Sequence, residues 1–315
     1  MKPTMPVIVL SRELPAMFTG ALAQLGEVRV LDADDLAGTL ADASVYLTTG
    51  VDPVPDTLIT AFPDSLKLIA NIGVGTDGID FGAAARRGIV VSNTPVVTDD
   101  TADLTMALIL AATRRLSASE RALRDGDWAR GAGVLGTRVT GKTLGIVGFG
   151  AIGQAVARRA AGFELSIVYH GPNPKPEAAQ AIGARFSPSL EALLAEADIV
   201  SLNCPLTPST RHLMNAASLA SMKPGAHLIN TGRGPLVDEA ALVDALRSGH
   251  LGGAGLDVFE FEPQVTAALL DFDNVSLTPH IGSATQECRT DMAMRAYANV
   301  QQFLAEGTVL DPVGG

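Results

Sequence analysis

The chain has 315 residues, of which 47% are hydrophobic and 18% charged, a balance that suits a soluble globular protein of two domains and excludes a disordered or fibrous one. Its formal net charge of −11, without any run of Lys or Arg, argues against nucleic acid or an anionic membrane as a partner. No apolar run approaches the roughly 18–20 residues that span a bilayer. The charged, Pro-containing N-terminus and two cysteines without metal-ligand spacing, Cys204 and Cys288, predict a cytoplasmic protein with reduced thiols and no metal site.

Short β-branched runs alternate with helix-like segments over the first hundred residues. Strands are predicted at 7–10, 44–48, 66–71 and 89–93, and helices at 56–62 and 80–88. This alternation indicates a parallel, doubly wound α/β domain. A single long helix is predicted next, over 99–125, and a loop containing Trp128 follows it.

A second alternating series begins at Lys142. Its predicted strands are 143–147, 165–169, 198–202, 226–230, 253–257 and 275–278, and its predicted helices are 151–161, 189–195, 238–248 and 284–306. The series predicts a second parallel α/β domain.

A glycine-rich turn, GFGAIG at 148–153, joins the first strand of this series to its first helix. A strand before the glycines, a helix after them and a second strand beyond form the context in which G-x-G-x-x-G binds a dinucleotide. We expect Gly148 to allow the tight turn, Gly150 to let a pyrophosphate approach the backbone, and Gly153 to let the helix pack closely on the strand. An ordinary strand–helix turn is the alternative.

Three further stretches place reactive side chains directly after predicted strands. Arg233 lies in INTGRGPLVDE, Glu262 follows Asp257 and Glu260 in GLDVFEFEP, and His280 lies in LTPHIGSAT. Ligands bind at the carboxyl ends of parallel strands. Taken singly, these residues could be a surface cation, a solvated acid and a turn histidine. Together, downstream of a dinucleotide motif, they indicate an active site.

With these stretches the chain resembles the D-isomer-specific 2-hydroxyacid dehydrogenases over nearly its full length. The matching segments are NIGVGTDGID, DDTADLTMALIL, GKTLGIVGFGAIGQ, NCPLTPSTRHLMN, INTGRGPLVDE, GLDVFEFEP and LTPHIGSAT. The resemblance implies an α/β protein of two doubly wound parallel-sheet domains, in which a Rossmann nucleotide domain is inserted into a flavodoxin-like substrate domain. The implied boundaries are 1–98 plus 284–315 for the substrate (catalytic) domain and 99–283 for the NAD(P)-binding domain.

The same resemblance implies roles for individual residues. Arg233 binds and polarises a 2-keto acid, His280 is the acid/base, and Glu262 pairs with His280. These roles agree with the chemistry, because ketone reduction needs a proton donor as well as the hydride of a nicotinamide, and an imidazole beside a carboxylate is a usable donor. The implied substrate-binding loop is Gly73, Val74 and Gly75. The implied cofactor contacts are Thr101, Gly148, Phe149, Gly150, Ala151, Ile152, Gly153, His170, Gly171, Pro172, Asn173, Lys175, Cys204, Pro205, Thr231, Gly232, Asp257 and Ser283.

One departure from the family pattern concerns the adenosine ribose. NAD-using members carry an acid after the second strand of the nucleotide domain, where this chain has Gly171. Without that acid, nothing there repels a 2′-phosphate. The arginine common in NADP-using relatives is also missing, so that only His170, Asn173 and Lys175 could contact the phosphate. We therefore expect NADP to be favoured over NAD.

The resemblance also favours one branch of the family. Relatives that use formate have Gln in place of Glu262, and the closing helix leaves no room for the C-terminal regulatory domain of many phosphoglycerate dehydrogenases. The expected activity is the reduction of glyoxylate and hydroxypyruvate, with 2-ketogluconate as a further candidate, to D-2-hydroxy acids. A homodimer is expected, because the region of helix 99–125 packs about a two-fold axis in relatives. A nucleotide-sensing, corepressor-type interaction protein on the same fold is the alternative.

Overall fold

The computed structural model describes residues 5–314, which divide into two compact units. The first unit consists of residues up to Val97 and from Ala284 onward, and the second unit consists of Thr98–Ser283. Among the described residues, none of the helices combines the length and apolarity needed to traverse a bilayer.

The first unit is built on a five-stranded parallel sheet. Its strands are β1 (Val7–Leu10), β2 (Glu27–Val30), β3 (Ala43–Thr49), β4 (Leu68–Ile72) and β5 (Val90–Ser92). Its helices are α1 (Ala16–Leu22), α2 (Leu36–Leu40), α3 (Asp56–Ala61), α4 (Phe81–Arg86) and the closing helix (Gln286–Glu306). The spatial order β2-β1-β3-β4-β5 is that of a flavodoxin-like doubly wound sheet, as the sequence predicts.

Apolar side chains cover both faces of this sheet, as parallel sheets require. One face packs Tyr46 and Ile69 against helix residues that include Ile59. The other face packs Leu47 into a cluster with Val300 of the closing helix. The last helix of the chain therefore completes the core of the unit that contains the first residues.

The second unit is built on a seven-stranded parallel sheet. Its strands are β6 (Thr143–Val147), β7 (Ser166–His170), β8 (Ala184–Phe186), β9 (Ile199–Leu202), β10 (His227–Asn230), β11 (Gly253–Leu256) and β12 (Val275–Leu277). Its helices are α5 (Thr98–Arg114), α6 (Leu116–Arg124), α7 (Trp128–Gly133), α8 (Ala151–Ala161), α9 (Pro176–Ile182), α10 (Leu190–Glu196), α11 (Ala216–Ala220), α12 (Glu239–Arg247) and α13 (Ala267–Leu270), with a 3₁₀ turn at Gly234–Leu236.

The order β12-β11-β10-β9-β6-β7-β8 gives this sheet the Rossmann arrangement. Strand β6 lies between β7 and β9, so the strand order reverses beside β6. The glycine turn follows β6 directly and therefore lies at the point where doubly wound sheets bind their ligands.

The prediction of one helix over 99–125 is wrong. The segment forms two helices, α5 and α6, which are separated by Arg115 in a left-handed conformation with φ of 52°. The carbonyl oxygen of Thr113 accepts a hydrogen bond from the backbone N–H of Thr137 at 2.7 Å. This contact gives the last turn of α5 a partner outside the helix, and the chain turns there.

Several short elements escape the sequence pattern. Strands β2 and β8 each lie at one edge of their sheet and have no fully buried residue, so they lack the apolar run that identifies an inner strand. Trp128, predicted in a loop, begins α7, whose N-cap Asp127 accepts a hydrogen bond from the N–H of Arg130 at 2.9 Å.

Candidate active site

The three glycines after β6 have different surroundings. Gly148 has a φ of 93°, and a Cβ atom there would lie 2.5 Å from the backbone nitrogen of Cys204. A Cβ atom on Gly153 would lie 2.2 Å from the carbonyl oxygen of Gly148. A Cβ atom on Gly150 would meet no heavy atom within 4 Å. The fold itself therefore requires glycine at 148 and 153, whereas at 150 it leaves open space beside the N-terminus of α8.

The N-terminus of α8 has no side-chain cap, since its N-cap is Gly150. The first N–H groups of a helix lack partners within it and carry the positive end of the helix dipole. They are suited to a pyrophosphate brought against Gly150, with Ala151 and Ile152 supplying the first turn.

The loop after β7 is held to the rest of the second unit at both ends. The Nδ1–H of His170 lies 3.0 Å from the carbonyl oxygen of Ser187, and the N–H of Lys175 donates to the hydroxyl of Tyr169 at 2.9 Å. Between these anchors, a Cβ atom on Gly171 would have its nearest neighbour at 4.0 Å. Pro172 and Asn173 are exposed in the same loop. A side chain at position 171 would therefore find room.

The remaining expected cofactor positions lie after β9, β10, β11 and β12 or on α5. Gly148 packs directly on the backbone that leads into Cys204 and Pro205. Burial raises the pKa of the Cys204 thiol to about 11, so the thiol is neutral at physiological pH. Thr231 precedes Gly232, and its hydroxyl oxygen is hydrogen-bonded to the hydroxyl oxygen of Thr105 at 2.8 Å.

Thr101 lies at the other end of this region, beside the loop that follows β12. A Cβ atom on Gly282, the neighbour of Ser283, would lie 3.6 Å from Thr101 and 3.3 Å from the carboxylate of Asp257. The structure thus brings Thr101, Asp257 and the end of the second unit into one cluster.

His280 and Glu262 form a hydrogen-bonded pair. Nδ1 of His280 lies 2.8 Å from Oε2 of Glu262, and the two side chains are 34% and 30% exposed. Burial acts to raise the pKa of Glu262, but hydrogen bonds from His280 and from the N–H of Phe259, with the charges of His280 and Arg233, outweigh it and hold the pKa below its usual value. Glu262 is therefore a carboxylate, and its bond to Nδ1 leaves Nε2 of His280 free to exchange a proton.

Asp257 shapes the loop that carries His280. Its side chain is 1% exposed, and Oδ1 accepts from the hydroxyl of Thr278 (2.7 Å) and the N–H of Ile281 (2.8 Å), while Oδ2 accepts from the N–H of Gly282 (2.8 Å). Burial raises the pKa of Asp257 despite these bonds. The backbone N–H of His280 donates to the Asp257 carbonyl at 2.7 Å. These contacts hold His280 at a left-handed φ of 53°, which a non-glycine residue adopts at a cost of about 1–2 kcal/mol.

Arg233 follows β10 and precedes the 3₁₀ turn. Its Nη1 donates to the carbonyl of Gly232 at 2.9 Å, and its own carbonyl accepts from Nδ2 of Asn230 at 2.9 Å. Its positive charge is one of the causes that lower the pKa of Glu262. Arg233, Glu262 and His280 therefore form one electrostatic cluster at the carboxyl ends of neighbouring strands.

The loop at 73–75 follows β4 in the first unit. Nδ2 of Asn71 donates to the carbonyl oxygens of Gly73 and Gly75, both at 2.9 Å. Nδ2 of Asn93 donates to the carbonyl oxygen of Val74 at 3.0 Å. The backbone N–H of Gly73 donates to the hydroxyl of Thr94 at 2.8 Å. Among the described residues, no protein acceptor is hydrogen-bonded to the backbone N–H groups of Val74 and Gly75. Sequence reasoning missed Asn71, Asn93 and Thr94; the signal was an asparagine ending a buried strand.

Comparisons with known proteins agree with this architecture. The family model described as "D-isomer specific 2-hydroxyacid dehydrogenase, NAD binding domain" matches residues 106–282. A glyoxylate reductase of Thermococcus litoralis is 48% identical over 275 residues, which cover 85% of this chain and 82% of that protein. A glyoxylate reductase of Pyrococcus furiosus is 41% identical over 95% of this chain and 92% of its own length.

A solved structure extends the similarity over nearly the whole chain. It is an NADPH-dependent glyoxylate/hydroxypyruvate reductase from Sinorhizobium meliloti in complex with NADP and malonate, with a TM-score of 0.91 and 40% identity over 98% of this chain and 97% of that chain. The family model covers more than half of the present chain, and the relatives match it well beyond the nucleotide domain. The protein is a nicotinamide-dependent dehydrogenase and belongs to the D-isomer specific 2-hydroxyacid dehydrogenase family.

Proposed function

We propose that the protein reduces small 2-keto acids to D-2-hydroxy acids, with glyoxylate and hydroxypyruvate as the first candidates and 2-ketogluconate as a further one. The relatives named glyoxylate reductase and glyoxylate/hydroxypyruvate reductase support this substrate class. The observation that carries the proposal is the His280–Glu262 pair with the charge of Arg233 beside it.

The second unit fits a dinucleotide, because an uncapped helix N-terminus adjoins open space at Gly150. When bound, the reduced nicotinamide supplies a hydride to the keto carbon. Nδ1 of His280 is held by Glu262, so Nε2 delivers the proton to the keto oxygen. Arg233 stabilises the negative charge that develops on that oxygen and binds the substrate carboxylate. In the first unit, the backbone N–H groups of Val74 and Gly75 are further candidate donors for a substrate carboxylate.

Replacement of His280 tests these roles. His280→Ala should lower turnover with glyoxylate by roughly two to four orders of magnitude, the range for loss of a general acid, and cofactor binding should survive. His250→Ala is the control, since that imidazole is hydrogen-bonded to the carbonyl of Leu219, away from the residues of the proposed chemistry. Glu262→Gln should shift the loss of reductase activity to lower pH, because the protonated imidazole loses its stabilising neighbour. Near-normal turnover in His280→Ala contradicts the proposal, whereas turnover by the unmodified protein excludes a purely nucleotide-sensing role.

We further propose that NADP is favoured over NAD. Gly171 supports this preference, because the ribose position then lacks the carboxylate that would repel a 2′-phosphate. Gly171→Asp restores the carboxylate in a place where a Cβ atom has room. The ratio of kcat/KM for NADPH over NADH should exceed one and should fall in this variant. Lys175→Ala should weaken NADPH binding and leave NADH unaffected. A ratio below one in the unmodified protein contradicts the preference, and an unchanged ratio in Gly171→Asp excludes position 171 as its origin.

We also propose a homodimer. The segment 116–135 carries four large exposed apolar side chains, among them Trp128 at 74% and Leu135 at 84% exposed. A symmetric contact would remove this surface from water. Light scattering at low micromolar concentration should report twice the chain mass of 32.5 kDa, and a particle of the chain mass contradicts the proposal.

A further inference from the structure

Two buried glutamates of the second unit bind each other's backbone. Glu239, the first residue of α12, is 3% exposed, and its Oε1 accepts from the N–H of Glu260 at 2.7 Å while its Oε2 accepts from the hydroxyl of Thr266. The side chain of Glu260 is 6% exposed, and its Oε2 lies 3.4 Å from the N–H of Glu239. Neither residue takes part in the proposed chemistry.

A histidine extends this arrangement toward Arg233. Nε2 of His212 lies 2.6 Å from Oε1 of Glu260, and Arg211 contacts the same oxygen at 3.2 Å. His212 has a left-handed φ of 50°, and its N–H donates to the carbonyl of Pro235 at 2.8 Å. We call Glu239, Glu260 and His212 the glutamate clasp. It is bonded to the backbone within the 3₁₀ turn that follows Arg233, at Pro235, and beyond that turn, at Glu239.

The loops that carry Arg233 and Glu262 are in direct backbone contact. A Cβ atom on Gly234 would lie 1.8 Å from the carbonyl oxygen of Phe259 and 2.5 Å from the nitrogen of Glu260. The N–H of Phe259 donates to Oε1 of Glu262 at 2.9 Å. A displacement of the peptide between Phe259 and Glu260 would therefore disturb the neighbour of Arg233 and the support of Glu262 together.

We propose that the glutamate clasp is a positioning device for the reaction, which holds the Arg233 loop and the Glu262 loop in the register that gives His280 its carboxylate partner. This inference rests on the proposed function. Two carboxylates nearly removed from water are costly unless donors compensate them, and here the donors are the backbone N–H groups of these loops, a hydroxyl, an imidazole and a guanidinium. Apolar packing would fill the same space without fixing the direction of the Phe259–Glu260 peptide.

Variants of Glu239 separate positioning from general stability. Glu239→Ala removes the acceptor of the Glu260 N–H, and its kcat should fall about 10- to 100-fold, as expected when reacting groups move by about 1 Å. Glu239→Gln keeps an acceptor for that N–H and a donor for the Thr266 hydroxyl, so it should recover most of the activity. Asp238→Ala is the matched control, because Asp238 caps the same helix through the N–H of Ala241 at 3.1 Å. It should lower thermal stability and leave kcat unchanged.

A double-mutant cycle with Glu262→Gln provides the decisive readout. If the clasp acts through Glu262, the double variant should lose much less than the product of the two single losses, and Glu239→Ala should shift the pH profile in the same direction as Glu262→Gln. Multiplicative losses, or a normal kcat in Glu239→Ala, overturn the inference. If Glu239→Ala does not fold, the same cycle with Glu239→Asp, whose side chain is one methylene shorter, gives the same decision. Active His280→Ala would instead overturn the proposed function.

Discussion

Alanine substitutions in the glycine turn should separate two roles that the sequence motif does not distinguish. Gly150→Ala places a methyl group in space where no heavy atom lies within 4 Å. The backbone there has φ of −77° and ψ of −162°, an extended conformation that alanine adopts without strain. Gly153→Ala places the methyl group 2.2 Å from the carbonyl oxygen of Gly148, so the backbone must move by more than an ångström before the contact is ordinary.

Gly150→Ala should mainly weaken cofactor binding, whereas Gly153→Ala should mainly lower the free energy of unfolding. For Gly150→Ala, the free energy of unfolding should change by less than about 1 kcal/mol, since the lost unfolded-state entropy and the poorer N-cap nearly cancel. The methyl group keeps a phosphate from the N–H groups at the start of α8. One lost charge-assisted hydrogen bond of about 1.5–3 kcal/mol weakens cofactor binding about 10- to 100-fold. For Gly153→Ala, overpacking against backbone should cost about 1–3 kcal/mol of stability.

The assay is thermal unfolding of each variant alone and with NADPH, together with fluorescence titration of the cofactor. Gly20→Ala in α1 serves as the control, because a Cβ atom there also meets nothing within 4 Å. It should be neutral or slightly stabilising and should bind cofactor normally. Unaltered cofactor affinity in Gly150→Ala, with unfolding unchanged, would refute the reasoning that the open space at 150 receives the pyrophosphate.

Three further predictions concern other residues. Burial, aided by the charges of Arg115 and Lys142, lowers the pKa of His227 from its ordinary value of 6.5 to about 4. The free energy of unfolding is therefore at its full value, as far as this ring is concerned, above pH 6.5. It falls by about 3 kcal/mol as the pH drops to 4, because the unfolded state takes up a proton that the buried ring does not. His227→Leu should reduce this acid dependence in urea unfolding at pH 7 and 4.5, and an identical dependence would argue against it. Asn71→Ala should raise KM for the keto acid about tenfold without changing cofactor affinity, because the 73–75 loop loses two hydrogen bonds; an unchanged KM would show that the loop does not bind substrate. Cys204, with its pKa raised to about 11 by burial, should react with iodoacetamide at pH 8 far more slowly than an exposed thiol of ordinary pKa, and rapid labelling would contradict the raised pKa.

Local periodicity and turn chemistry account for the elements that were predicted well. Strands such as Thr143–Val147 are buried on both faces and therefore appear as unbroken apolar runs, and the glycine turn marks the helix that follows. The edge strands Glu27–Val30 and Ala184–Phe186 have no fully buried residue, so no such run identifies them. At the break beside Arg115, the carbonyl of Thr113 accepts a hydrogen bond from the N–H of Thr137, a residue remote in sequence that local periodicity does not reveal.

The candidate site divides in the same way. Arg233, Glu262 and His280 could be named from the sequence, because their residue types and positions after strands suit the chemistry. The contacts that orient them could not be named. Glu239 and Glu260 are ordinary acids in the sequence, and their loops meet only in the folded chain, where Gly234 packs on Phe259 and the two side chains bind each other's backbone. Asp257 was expected to contact the cofactor. Its burial against the loop of His280 depends on tertiary contacts that the sequence does not reveal.

The interrupted path of the chain through the first unit has a consequence for synthesis on the ribosome. The second unit is one continuous stretch, Thr98–Ser283, so its core can close as soon as that stretch has emerged. The first unit is made earlier, but one face of its sheet is covered only in part, by α1 residues such as Leu22, until Val300 and its neighbours on the closing helix arrive. During translation the nascent N-terminal segment therefore carries exposed apolar strands for the time needed to make nearly two hundred further residues. Such surface attracts chaperones and favours aggregation when synthesis is fast. The part of the protein made first is thus the last to complete its fold.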